Sequence, residues 1–374
     1  MKKIVGIIGT AAVLASSIFA VDFAARVYMK ADVAAGDKDH VEFFNLINSD
    51  QKDDDALVLS ANTDKAGAKF QVWYNYTGSG AEELKVRGAN LWFKPLDMLK
   101  ITVGDIDVGI YGEKLHYWKD PVGAHYTDGW GYQYSNADVA TGAGFACELT
   151  PIDGLWIGLA GAAGTNSSTI ALTWADGVPD DNKFWYGAWG VGAKYDLNGL
   201  AGIPLSVGVS WRDSGKDDWK LLGIGADYGV LYGDGLYAML NGRLRFNEGD
   251  NGKLAGITID NFVKFATGAF KAEVRAPVTI RLEDNDPSWL VWSARVSYAL
   301  DGFTPYLLLA NDLDNTNAAW LLSDAFGDTF NMQIKPGVTF NVGTCSIDAA
   351  VRLDIPAKGG NFKFAVPVEL GVKF

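Results

Sequence analysis

The 374-residue sequence predicts an all-β fold, a transmembrane antiparallel up-and-down β-barrel of about 18 strands, with 16 as the alternative count. Three observations predict it. Stretch after stretch alternates apolar with polar residues, the connections between stretches alternate short with long, and no segment beyond the first 20 residues offers the ~18 apolar residues a membrane helix needs. Abundant Gly (44), Trp (13), Tyr (15) and Phe (19) suit tight turns and interfacial aromatic girdles better than helices.

The first element is not part of the barrel. Met1-Lys2-Lys3 is followed by an uncharged run, Ile4 to Phe19, containing Gly6 and Gly9 and ending at Ala20. A basic start, a short apolar stretch and a small residue form a secretory signal peptide, with cleavage expected after Ala20. Residues 21–374 are then expected to be one domain. Alternation starts at once, with Phe23, Ala25, Val27 and Met29 against Asp22, Arg26, Tyr28 and Lys30, which leaves no room for an N-terminal plug.

The clearest strand runs from Phe270 to Glu283. Phe270, Ala272, Val274, Ala276, Val278 and Ile280 alternate with Lys271, Glu273, Arg275, Pro277, Thr279 and Arg281. Trp289 to Leu300, Phe330 to Val342 and Ser346 to Asp354 repeat the pattern, whereas Leu57 to Thr63 and Leu84 to Lys94 are the least regular. So many long amphipathic strands would leave exposed edges that only closure removes. In a barrel the apolar set faces lipid and the polar set faces the lumen.

Compact turns of Gly, Asp, Asn and Pro fall at 64–67, 95–97, 151–154, 198–202, 232–235, 266–268, 301–302 and 343–344. Longer polar stretches fall near 35–55, 78–83, 110–140, 164–183, 213–218, 248–253, 284–287, 313–328 and 355–361. Nine long and eight short connections carry eighteen strands back to the side on which they began.

The last strand, Phe362 to Phe374, places Phe, Val or Leu at every even position and ends on an aromatic residue. This terminal strand and the leading peptide resemble those of bacterial outer-membrane barrels of the porin family. The resemblance implies that Phe374 is read by the outer-membrane insertion machinery, that both termini lie in the periplasm, that the chain forms a homotrimer, and that small hydrophilic solutes pass through a water-filled channel. It also implies that the third long loop can fold inward and constrict the pore.

A barrel of 16 to 18 strands is wide enough for water, so function is expected in lumen-facing residues. Arg243, Arg245, Lys264, Lys271, Arg275, Arg281 and Arg295 fall on the polar faces of consecutive strands and predict a basic stripe, interrupted by Asp260 and Glu273. The loops are acidic: the first holds Asp37, Asp39, Glu42, Asp50, Asp53, Asp54 and Asp55, without the ligand spacing of a Ca²⁺ loop. Such a mouth enriches cations at low salt. The longest loop, Ile110 to Ala140, supplies the candidate constriction residues Glu113, His116, Asp120, His125 and Asp128.

Tyr28, Trp73, Tyr186, Tyr237, Trp289 and Phe303 are candidates for an inner aromatic track of the kind sugar channels use, while Phe93, Tyr195, Phe246, Tyr298 and Phe374 read as membrane-interface residues. An enzyme is not expected. The three histidines, His40, His116 and His125, lie in predicted loops, and neither GxSxG nor HExxH occurs. Cys147 and Cys345 read as unconnected wall residues, no metal site or cofactor is implied, and nucleic acid is no expected partner of a chain with net charge −13. Lipid is the expected surrounding. The leading expectation is a porin for passive diffusion; the alternatives are a substrate-selective, sugar-type channel and a non-conducting surface barrel or adhesin.

Overall fold

The computed structural model describes residues 21–47, 56–76, 82–109, 138–162, 188–213, 219–230, 233–247, 252–276, 278–282, 288–290, 292–310, 320–321, 332–356 and 360–373. The chain opens with β1 (Val21–Asp37), whose one edge takes two segments end to end. β2 (Val41–Ile47) covers its distal half, with Gly36 opposite Val41. β3 (Ala56–Asn62) covers its proximal half, with Arg26 opposite Ala56.

Each strand that follows lies antiparallel to the one before it. They are β4 (Ala66–Tyr76), β5 (Glu82–Leu96), β6 (Leu99–Gly109), β7 (Asp138–Ile152), β8 (Leu155–Ala162) and β9 (Ala188–Asp196). After a single helical turn, α1 (Asn198–Ala201), come β10 (Leu205–Asp213), β11 (Trp219–Gly229), β12 (Gly235–Asn247) and β13 (Lys253–Thr267).

The next wall strands are divided: β14 (Phe270–Arg275) with β15 (Val278–Arg281), β16 (Trp289–Leu290) with β17 (Ser293–Tyr298), and β18 (Phe303–Ala310) with β19 (Trp320–Leu321). β20 (Met332–Val342) precedes a last divided position, β21 (Cys345–Ala350) with β22 (Arg352–Ile355), and then β23 (Lys363–Lys373). Opposite β13 the described ladder runs to Arg275 and resumes at Val278.

β23 returns to β1, with Val27 opposite Val372 and Gly36 opposite Phe364. The ring is therefore closed. Five positions are built of two segments each, so among the described residues the 23 segments make 18 wall strands. All eight short connections expected from the sequence join neighbouring strands at one end. Two-residue turns lie between Val342 and Cys345 and between Thr267 and Phe270, where Gly343 (φ 60°) and Gly268 (φ 54°) adopt the left-handed backbone such turns demand.

The first connection differs from expectation. The stretch 35–55 is not one long loop: β1 continues to Asp37 and β2 begins at Val41. The Asp37 carboxylate accepts the backbone N–H groups of Asp39 (2.9 Å) and His40 (3.0 Å), closing a turn whose polar composition read as loop. His40 sits on this turn, 3.3 Å from Glu42. Asp50, Asp53, Asp54 and Asp55 lie outside the described residues, as do residues 1–20 and Phe374.

Burial is inverted relative to a soluble protein. Leu91, Val209, Ile224, Leu240, Val263 and Val274 are exposed on the outer face, whereas Asn241, Asp260, Lys264 and Arg275 on the opposite face are buried. From Ile259 to Thr267 along β13 buried residues alternate with more exposed ones. A continuous apolar belt on the outside of a closed barrel requires an apolar surrounding. From Leu236 to Phe246 on β12, ten residues at ~3.3 Å each and the ~40° tilt of such walls give a belt about 25 Å tall, matching hydrocarbon thickness.

Aromatic residues rim the belt. Phe93, Tyr228, Phe265, Phe270, Tyr298 and Phe340 face outward beside the short turns. Tyr195 joins them, opposite outward Val207, while Phe246 pairs with Trp211 at the far rim, their rings 6.3 Å apart. Phe303 belongs to this outer rim and not to an inner track. It is exposed and lies 6.1 Å from the Phe340 ring, because the alternation of β18 turns Tyr306 and Leu308 inward and Phe303 out.

Candidate functional site: the inner wall

Period-2 alternation carries all seven residues of the expected basic stripe to the inner face of β12 through β17, the face opposite outward Leu240, Val263, Val274 and Val296. Register then brings acids among them. Arg275 Nε and Nη2 donate to the two carboxylate oxygens of Asp260 at 3.0 and 2.6 Å, a bidentate pair with side chains 4% and 2% exposed. Lys271 Nζ lies 2.8 Å from Glu273 Oε1. Lys264 Nζ donates to the carbonyl oxygens of Val230 (3.2 Å) and Gly233 (2.8 Å), tying the β11–β12 turn to the wall.

The stripe is therefore not a uniform positive strip. In its half nearer the short turns the cations are held by carboxylates and carbonyls. Towards the long-loop end, Arg243 stands opposite Gly223 and Thr258, and Arg245 and Arg281 stand on either side of Gly256. Three guanidinium groups therefore share one stretch of the inner wall.

The network continues beyond the stripe. The Arg295 guanidinium lies over the Tyr306 ring, 4.4 Å from its centroid, and the Tyr306 hydroxyl donates to Asp348 Oδ1 at 2.8 Å. The other oxygen of Asp348 accepts from the Thr339 hydroxyl at 2.7 Å. Asp354 accepts from Gln333 Nε2 and Arg352 Nε, each at 3.1 Å. On the other flank the Tyr237 hydroxyl reaches Asp227 Oδ2 at 3.2 Å, so of the proposed aromatic track Tyr237 is inward, and almost wholly buried. Tyr186 and the side chains of Tyr28, Trp73 and Trp289 lie outside the described residues.

Sequence reading missed Asp227, Lys335, Asp348 and Asp354, all buried on this face. The alternation of β21 and β22 did place Asp348 and Asp354 inward; only their partners were invisible. It also missed an apolar inner patch, where Ile106 and Val108 of β6 pack with Ala146 of β7 and Ala160 of β8. This patch stands at the foot of the segment holding Glu113, His116, Asp120, His125 and Asp128, all five of which lie outside the described residues. Cys147 and Cys345 are free thiols on the non-adjacent strands β7 and β21. Among the described residues no cluster of His, Cys, Asp and Glu could hold a metal ion, and no helix is long and apolar enough to cross a membrane.

No family model matches the sequence, and no curated protein does. Solved structures from Pseudomonas aeruginosa do. OpdL matches with a TM-score of 0.57 at 10% identity, covering 95% of this chain and 99% of that one. OccK2 (OpdF), solved with glucuronate, matches at 0.53 and 11%, covering 95% and 98%. The outer membrane protein opdK matches at 0.51 and 11%, again covering 95% and 98%. These likenesses span the whole barrel and are likenesses of fold: this chain is built as an outer-membrane-type β-barrel.

Proposed function

We propose that this chain is an outer-membrane porin, a passive water-filled channel for small hydrophilic solutes. One observation carries the reading. A closed ring of 18 strands presents an apolar belt outward and a wall of ionised, hydrogen-bonded side chains inward. Hydrocarbon satisfies the first surface and only water the second. Export by the leading peptide, recognition of Phe374 by the insertion machinery, periplasmic termini and a homotrimeric assembly belong to the same proposal, on the strength of the porin resemblance.

Selectivity in this reading comes from the inner wall. The basic side chains from Arg243 to Arg295 form an electrostatic wall that orients permeating solutes, opposed at the mouth by the acidic loops. The segment 110–140 is the proposed constriction, and the apolar patch of Ile106, Val108, Ala146 and Ala160 is the kind of inner surface such a segment needs. A substrate-selective channel is the second reading. It is favoured by inner side chains such as Tyr237, Leu308 and Asn241 that are almost completely buried, unlike the lining of an evenly open tube. The glucuronate bound in OccK2 (OpdF) points the same way.

The test is single-channel conductance of the refolded protein in a planar bilayer, with the reversal potential under a salt gradient. Stepwise ohmic openings support the channel, saturable block by one solute supports the selective form, and the sign of the potential ranks the arginines against the acidic loops. Insertion without current refutes both and leaves a surface barrel.

A further inference from the structure

Two tryptophans face the lumen, on a part of the wall that the basic stripe does not reach. Trp92 of β5 lies between outward Leu91 and Phe93, and Trp156 of β8 lies on the face opposite outward Leu159. Both sit within a few residues of short turns, at the same mouth of the barrel. Girdle tryptophans at a membrane interface face lipid. These two face the other way, so the bilayer does not account for them.

Each indole packs over a glycine. A β-carbon at Gly158 would collide with the Trp156 ring, and one at Gly67 would collide with the Trp92 ring. Each indole N–H is also tethered: Trp156 Nε1 donates to Glu148 Oε2 at 3.1 Å, and Trp92 Nε1 to Asn62 Oδ1 at 3.3 Å. Trp156 is backed further by the apolar inner patch. Between them, Lys100 Nζ holds the other Glu148 oxygen at 2.9 Å, and both side chains keep access to solution, 38% and 23% exposed. Lys94 flanks the Trp92 ring, its Nζ 5.8 Å from the centroid.

We infer that Trp156 and Trp92, three strand spacings of ~4.8 Å apart with the Lys100–Glu148 pair between them, form a binding shelf for uncharged sugar units at the short-turn mouth of the barrel, one ring at each indole. An indole held by a glycine beneath it and by its N–H tether can stack on the C–H face of a pyranose, and the ammonium, carboxylate and amide beside the two rings exchange hydrogen bonds with the sugar hydroxyls. Because Glu148 neutralises Lys100, the shelf offers hydrogen bonds without a net pull on anions. That selects a neutral polyhydroxylated solute over a carboxylate. The inference deepens the channel reading and rests on it for a role in permeation.

Glucose is the probe. Fluorotryptophan-labelled protein in detergent micelles, with resonances assigned through Trp92→Phe and Trp156→Phe, should show glucose shifting those two signals and leaving Trp189 on the outer face unmoved. In bilayers, Trp156→Ala and Trp92→Ala should each weaken glucose-dependent current noise about tenfold, and Trp189→Phe should not. Glucose that moves neither resonance, or that blocks the Trp156→Ala channel as well as the parent, overturns the shelf. Shifts without any current would sink the channel reading and leave the shelf standing; current without shifts would do the reverse.

Discussion

Removing the Asp260 carboxylate by Asp260→Asn should destabilise the barrel by about 3 kcal/mol, because breaking a buried ion pair leaves an uncompensated charge at a typical cost of about 3–5 kcal/mol. The lower end applies because one amide oxygen still accepts. The geometry supports a figure of that size. The charge centres lie roughly 4 Å apart, which at an effective dielectric of about 20 corresponds to ~4 kcal/mol before desolvation is set against it. The site also lies between two described stretches of ladder. Between Phe262 opposite Arg275 and Ile259 opposite Val278, side chains join the strands: the two Arg275–Asp260 bonds and Asn261 Nδ2 to Ala276 O at 2.7 Å. The assay is a double-mutant cycle of Asp260→Asn, Arg275→Met and their combination, read by reversible urea unfolding from lipid vesicles. The singles should each lose far more than their interaction-free share, with a coupling of about 2 kcal/mol or more. In bilayers, Asp260→Asn should also move the reversal potential towards anions, since it removes one negative charge from the inner wall. Additivity within about 0.5 kcal/mol would show that the pair is not coupled and refute the argument.

Leu240 stands outward near the middle of the belt, so Leu240→Arg should cost about 2–4 kcal/mol in the same unfolding assay; a loss below about 1 kcal/mol would mean this face does not meet hydrocarbon. Lys264→Met removes both bonds to the β11–β12 turn and should cost about 1–3 kcal/mol, with faster amide exchange across residues 233–237; unchanged exchange would show that the lysine does not anchor the turn. In the β5–β6 turn the hydrogen bond from Lys65 holds the Asp97 carboxyl below the ordinary carboxylate range. A folded-state value lowered in this way contributes stability above the unfolded carboxylate value, about pH 4, that disappears as pH falls through the lowered one. Carbon-detected NMR titration should find Asp97 low in the parent and returned to the ordinary range in Lys65→Met. Equal values in the two proteins would contradict the pairing.

Much of this architecture was legible in one dimension because a strand in a barrel wall meets two different solvents. Hydrocarbon on one side and water on the other impose a period of two, and the runs at Phe270, Trp289, Phe330 and Ser346 show it without any knowledge of neighbours. The short turns were legible because tight reversal demands particular backbone angles, and Gly268 and Gly343 carry them. Where polar composition had two meanings the reading failed: Lys38-Asp39-His40 forms a hairpin turn within an otherwise strand-rich stretch that read as loop. Phe303 was misplaced for a different reason. At a strand end one residue's difference in where the alternation starts reverses its face.

The sequence by itself determined the class of fold, the end at which the strands turn tightly, and the face on which Arg243, Lys264, Arg275 and Arg295 stand, since each depends on residues close in the chain; between 18 and 16 wall strands the pairing decided. Only the tertiary structure decided what those side chains do. That Asp260 holds Arg275, that Lys264 reaches a turn over thirty residues away, that Asp348 receives Tyr306, and that Trp92 lies on Gly67 all depend on the register between strands. Register is set by the closure of the whole ring, and a local pattern that repeats every two residues carries no record of which repeat stands beside which.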